Sequence, residues 1–397
     1  MRHTFVFPLS PNVGNMQKNG ASEMFYSKSI NKGVGLFICL MVASVAGPVP
    51  GTNAANYKDA QFNPIYPPFS VAANRDPDVL VPPTEVSEKT RENFEEKSPK
   101  KSSRLVLALG GGAFKSVAQI GVIRCLEDNG IQIDGVVGTS LGATIGALYC
   151  SGMSTKEIEE LFVDETVQDA MMKCVIVRQL LKPLAPIKHL VFGKPLAGLS
   201  SGKGYLKLLE EKLPPDFKQL KKPFAAVVTN LTDGQTTVLS EGDLPRSVLA
   251  SNAVPTVFRP VLIKDKLYVD GGLRANLPNN IAEKLGADLT ISVLCDKAIT
   301  PVENKTFKSM KAVMMRVADI MMAAADHPKA EASDVLIFPD VDFVPPFTKD
   351  EDIIRKAVAV GYKAAEQVLP QIKSELLALE QRQEKKQTAA GPDEKLR

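Results

Sequence analysis

The 397-residue sequence has only three histidines and five cysteines, which leaves little material for metal or redox chemistry. No two of Cys39, Cys125, Cys150, Cys174 and Cys295 have the spacing of a zinc knuckle or a redox couple. The acidic residues form no loop of alternating oxygen ligands, so calcium is not implied and no cofactor is expected. The formal charge of +3 comes from the N-terminus, where Arg2, Lys18, Lys28 and Lys32 outnumber Glu23, and the remainder is balanced. With no basic excess and no arginine-rich run, a nucleic-acid partner is excluded. No apolar run reaches the roughly 20 residues that cross a bilayer comfortably, and no internal repeat is visible.

One shorter apolar run is present. Residues 33–47 (GVGLFICLMVASVAG) are uncharged, follow Lys28 and Lys32, and end in small residues. This is the layout of a secretory signal peptide, assigned here to residues 1–46, with Met24 as an alternative start and an exported location as the consequence. An uncleaved membrane tether is the competing reading, and the bulky Ile38 argues against Cys39 as a lipidation site. Residues 47–103 are rich in proline and charge and are expected to form a disordered linker, because they cannot bury enough apolar surface to offset ordering entropy. A single large domain is expected over 104–373, followed by a polar tail over 374–397 whose first part can extend the last helix.

Within that domain, Leu105–Leu109 reads as a buried strand, 115–129 as a helix, 131–137 as a strand and 141–150 as a helix. This alternation predicts an α/β fold of three layers, a mostly parallel sheet flanked by helices. Asp233-Gly234 between two apolar runs predicts a hairpin. Ser154 and Glu157 predict a capping box, and 289–294 and 335–338 predict later strands. The apolar-rich stretch 153–198 reads either as core helices or as a lid over a lipid site.

Gly138-Thr139-Ser140-Leu141-Gly142 falls between a predicted strand and a predicted helix. In that context a serine sits at the apex of a sharp turn with Oγ projecting outward, while the flanking glycines avoid collisions. A plain small-residue turn is the alternative. Gly110-Gly111-Gly112-Ala113-Phe114-Lys115 follows the first strand and frees backbone N–H groups beside a helix N-terminus, which favours negative charge. A phosphate loop would need glycine at position 114, and a dinucleotide loop would need it at 115, so an oxyanion hole is the better fit. Asp270-Gly271-Gly272 follows an apolar strand and offers a carboxylate base or a structural turn. His327 would complete a Ser140, Asp270, His327 triad in the usual chain order.

Taken together, G-G-G-A-F-K, G-T-S-L-G and D-G-G, with A-S-N-A-V-P-T-V-F-R-P (250–260), N-L-P (276–278) and the strand around 333–337, resemble the patatin-like phospholipase family over about 104–369. The resemblance implies a serine lipid acyl hydrolase acting on lipid or phospholipid esters at a membrane surface. Ser140 would be its nucleophile and Asp270 its base. Backbone amides of the 110–113 loop would form its oxyanion hole. The loop departs from the family at Ala113 and Ser116, where glycine is the rule, and this restricts its backbone. Lys115 is expected to be a solvated side chain at the helix start, with a charge near a lipid headgroup or a loop stabiliser as the alternatives. A non-catalytic lipid-binding protein on the same fold is the other reading.

Overall fold

The computed structural model describes residues 86–97, 104–171 and 197–389, apart from 256, 297, 298 and 300. The expected signal peptide, most of the linker and residues 172–196 of the lid stretch lie outside the described residues. The same holds for His189 and Cys174.

Leu105–Leu109 (β1) runs parallel to Gly135–Thr139 (β2) on one side and to Leu289–Val293 (β7) on the other. Phe224–Asn230 (β3) lies parallel to β2 and antiparallel to Thr236–Leu239 (β4) and Lys266–Asp270 (β6). Val261–Ile263 (β5) closes one edge against β6, and Val335–Ile337 (β8) closes the other against β7. The result is one eight-stranded sheet in the order β5-β6-β3-β2-β1-β7-β8, with β4 branching from β3. The hairpin turn predicted at Asp233-Gly234 joins β3 to β4, with Gly234 in the left-handed region at φ 70°.

Alternate side chains of β1 separate into two cores. Leu105, Leu107 and Leu109 face a large cluster that includes Ile120, Leu126 and Ile145, whereas Val106 and Ala108 face a smaller one with Val137, Ile281 and Leu285. Strands buried on both faces read as continuous apolar runs, as β1 does. The large cluster is covered by Ala118–Asp128 (α2), Leu141–Ser151 (α3), Thr155–Val163 (α4) and Glu351–Ala389 (α10). Gly121 of α2 and Gly361 of α10 face each other's backbone so closely that a Cβ at either would collide with main-chain atoms. The capping box predicted for α4 is formed, with Glu157 N–H donating to Ser154 Oγ and Ser154 N–H to Glu157 Oε2. Cys125, Cys150 and Cys295 are buried.

One sequence expectation changes. Within the stretch read as linker, Glu88–Lys97 is a helix (α1) whose Phe94 is 1% exposed and lies over Gly135, where a Cβ would come within 2.6 Å of the ring. One buried aromatic side chain contributes roughly 1.5–3 kcal/mol, which holds a helix that composition alone marks as too polar to pack. α10 continues without a break to Ala389, so the last helix extends into the first part of the tail.

Candidate active site

Ser140 stands between β2 and α3 with φ 54° and ψ −129°. A non-glycine residue there stores about 1–3 kcal/mol of strain, which its surroundings must hold. The Ser140 N–H donates to Ser251 Oγ at 3.0 Å, and Ser251 in turn donates to the Val227 carbonyl at 2.7 Å. Thr139 Oγ1 donates to the Ala275 carbonyl at 2.9 Å. The flanking glycines are required by close approach: a Cβ on Gly138 would lie 2.6 Å from Ala143 Cα, and one on Gly142 would lie 2.5 Å from the Leu109 carbonyl oxygen. The serine is therefore held on the strained strand-to-helix bend that the motif predicts.

Asp270 ends β6 and is 5% exposed. Ser140 Oγ donates to its Oδ2 at 2.7 Å, and the Gly272 N–H donates to its Oδ1 at 2.8 Å. Burial pushes the carboxyl up to about 6, against the opposing pull of the Gly272 and Ser140 hydrogen bonds. Gly271 lies against the Val227 carbonyl, where a side chain would collide, and a Cβ on Gly272 would come 3.2 Å from Asn276 Oδ1. Because carboxylate and hydroxyl touch directly, no imidazole stands between them. His327 falls inside the helix Met310–Glu331 (α9), and its side chain lies outside the described part.

The glycine loop differs from its sequence reading. The Gly110 N–H donates to the Val293 carbonyl at 3.0 Å and the Gly111 N–H to the Asn276 carbonyl at 3.3 Å, so neither is free to serve as an oxyanion donor. These bonds tie the loop to β7 and to the segment after Asp270. The amides of Gly112 and Ala113 have no acceptor among the described residues. Ala113 opens a short 3-10 helix, Ala113–Val117, with φ 49°, in the left-handed region that favours glycine. The restriction expected at this position is therefore present as strain. Ser116, the other departure, is fully buried with an unpartnered Oγ. Gly111 places the loop beside Ser140, since a Cβ there would come 3.1 Å from Ser140 Cβ.

Lys115 is not the solvated residue expected. Its side chain is 15% exposed and its Nζ pairs with Asp342 at 3.4 Å, because the chain after β8 returns over the loop.

Sequence reasoning gave no role to Asn276, Ser251, Asp296 or Asp326. The Asn276 amide donates to Asp296 Oδ2 at 2.9 Å and to Asp326 Oδ2 at 2.7 Å, and the Leu277 N–H donates to Asp326 Oδ1 at 3.0 Å. Burial and the neighbouring Asp326 carboxylate raise the Asp296 carboxyl well above the ordinary range. This pair fixes Asn276, whose carbonyl holds Gly111. The motif residues around 250–252 and 276–278 were the available signal; which atoms they touch depends on long-range pairing.

Fold and site define an α/β protein with a serine on a strand-to-helix bend, a directly bonded aspartate and an adjacent glycine loop. Residues 107–282 match the family described as Patatin-like phospholipase, so this part of the chain is similar to that family. An uncharacterised NTE family protein of Mycobacterium tuberculosis is 32% identical over 193 residues, 48% of this chain and 49% of the relative. Human patatin-like phospholipase domain-containing protein 6 is 31% identical over 193 residues, covering 48% of this chain and 13% of that protein. The chain thus spans about half the length of the mycobacterial relative. Among solved structures, VipD from Legionella pneumophila aligns with a TM-score of 0.38 and 19% identity over 69% of this chain and 67% of that one.

Proposed function

We propose that the protein is a serine lipid acyl hydrolase, of phospholipase A or lysophospholipase type, that cleaves carboxylic esters through a Ser140–Asp270 dyad and an acyl-enzyme. The observation that carries this reading is the 2.7 Å hydrogen bond from Ser140 Oγ to Asp270 Oδ2 at a strained bend. As Oγ attacks the ester carbonyl, its proton passes to Oδ2. Collapse of the tetrahedral intermediate expels the alcohol oxygen, which takes that proton. Water then attacks the acyl-enzyme, gives a proton to Asp270, and Ser140 leaves with it.

A carboxyl raised to about 6 suits both transfers, because it is ionised at neutral pH yet basic enough to hold the proton. The negative oxygen of the intermediate falls to the Gly112 and Ala113 amides; one such donor is worth roughly 2.7–4 kcal/mol. A fluorophosphonate probe is expected to label the wild type and not Ser140→Ala. Failure of folded wild type to react would favour a non-catalytic lipid-binding protein. Loss of ester hydrolysis in His327→Ala by several hundredfold would favour the triad, whereas near-normal activity supports the dyad.

The apolar run at 33–47 supports export to the cell envelope, with a lipid membrane as the working surface. Fractionation of cells expressing the full chain, with N-terminal sequencing of the mature protein, checks this.

A further inference from the structure

Surface helices of globular proteins normally turn their apolar side inward. In α9 apolar side chains also face outward, while Ala323 and Ala330 are buried on its inward side. Its inward side carries charge: Asp326 is fully buried and bonded to Asn276 and Leu277, Lys329 Nζ reaches the Arg274 carbonyl at 3.4 Å, and Arg316 and Asp319 are half-buried. Its outward side carries Met310, Val313, Val317, Ile320 and Met321, which are 54, 43, 41, 47 and 68% exposed. Their spacing places them on one stripe, about 16 Å long at 1.5 Å per residue. Gly272–Ala275 (α7), which follows Asp270 and Gly271, packs against α9 and presents Leu273 at 54% exposure.

Charge accompanies the stripe. Between Asn304 and Lys311 the chain has Lys305, Lys308 and Lys311 and no carboxylate. Lys308 is exposed, and Lys305 pairs with Glu303 just upstream. No helix among the described residues is long and apolar enough to cross a membrane, so an apolar face here points to contact in the plane of a surface.

We propose that the outward face of α9 docks the protein on an anionic lipid bilayer, with the stripe at the acyl boundary and the basic N-terminal end among the headgroups. The proposal rests on the reading of the substrate as a lipid ester, and it adds which surface meets the lipid. A bilayer with anionic headgroups accounts for the exposed stripe and the run of cations together. It also brings lipid to the element that carries Leu273 and directly follows the catalytic base.

The test uses the full chain with Ser140→Ala, so that vesicles stay intact, sedimented with phosphatidylcholine vesicles with and without phosphatidylglycerol. Binding is expected with phosphatidylglycerol and is expected to weaken in molar salt. Adding Val317→Asp and Met321→Asp is expected to lower vesicle affinity at least tenfold. The same pair on the Ser140-intact chain should leave hydrolysis of a short-chain, water-soluble ester unchanged. The milder Val317→Ser with Ile320→Ser should move binding in the same direction if the aspartates impair folding. Vesicle binding unchanged in both sets of variants would overturn the proposal. So would no binding by the parent chain, or a parent dimer that the substitutions turn into monomers without altering vesicle binding, which would assign the stripe to a second copy. If the soluble ester is inert with Ser140 in place while vesicle binding responds as expected, the catalytic reading fails and the docking surface stands.

Discussion

At the scale of single residues, Asp270 is buried where its ionisation costs stability. Its folded pKa of about 6 lies above the ordinary 3.8, so between those values the folded protein holds a proton that the unfolded chain has lost. Stability therefore falls as pH rises from about 4 to about 6, and by pH 7 the ionised carboxylate disfavours the fold by on the order of 3 kcal/mol. Asp270→Asn is expected to raise stability at pH 7 by up to that amount, with the gain gone by pH 4, as urea titrations at the two pH values would show. The same change should lower kcat by roughly 10²–10⁴-fold. In the wild type, kcat/KM should climb tenfold per pH unit below about 6 and level off above it. Ala113→Gly relieves a positive φ, so activity should hold or rise with little change in Tm. Ser251→Ala leaves the Ser140 N–H without its acceptor and should cost about 1–3 kcal/mol, with kcat falling more than KM changes.

At the scale of elements, attachment is uneven. α1 is held chiefly by Phe94, so Phe94→Ala should strip hydrogen-exchange protection from 88–97 while the sheet keeps its own. The α2–α10 contact is of another kind: Gly121→Val drives a side chain into the α10 backbone and should cost well over 3 kcal/mol in a denaturant titration. These two contacts also mark what was legible beforehand. β1, β2, the hairpin and the α4 capping box follow from local pattern, and so did the bend at Ser140. Phe94 was hidden because one aromatic among charges gives no periodic signal, and the union of Gly121 with Gly361 joins segments 240 residues apart. Gly110 and Gly111 looked like oxyanion donors for the same reason: their acceptors, Val293 and Asn276, lie far along the chain.

At the scale of the whole molecule, Ser140 and Asp270 arrive from opposite sides of a single strand. β2 brings Ser140 alongside β3 in parallel, with Gly138 opposite Ala226; β6 brings Asp270 antiparallel, with Asp270 opposite Val228. The two partner strands are thus spaced by β3, about 9–10 Å apart, and the side chains close the gap. Slipping either strand by one residue would turn its side chain to the other face. A covalent serine probe consequently serves as a gauge of assembly. Across a denaturant series, the fraction of chains that accept the tag should trace the fraction whose central strands are in register, ahead of any loss of helical signal from the long α10.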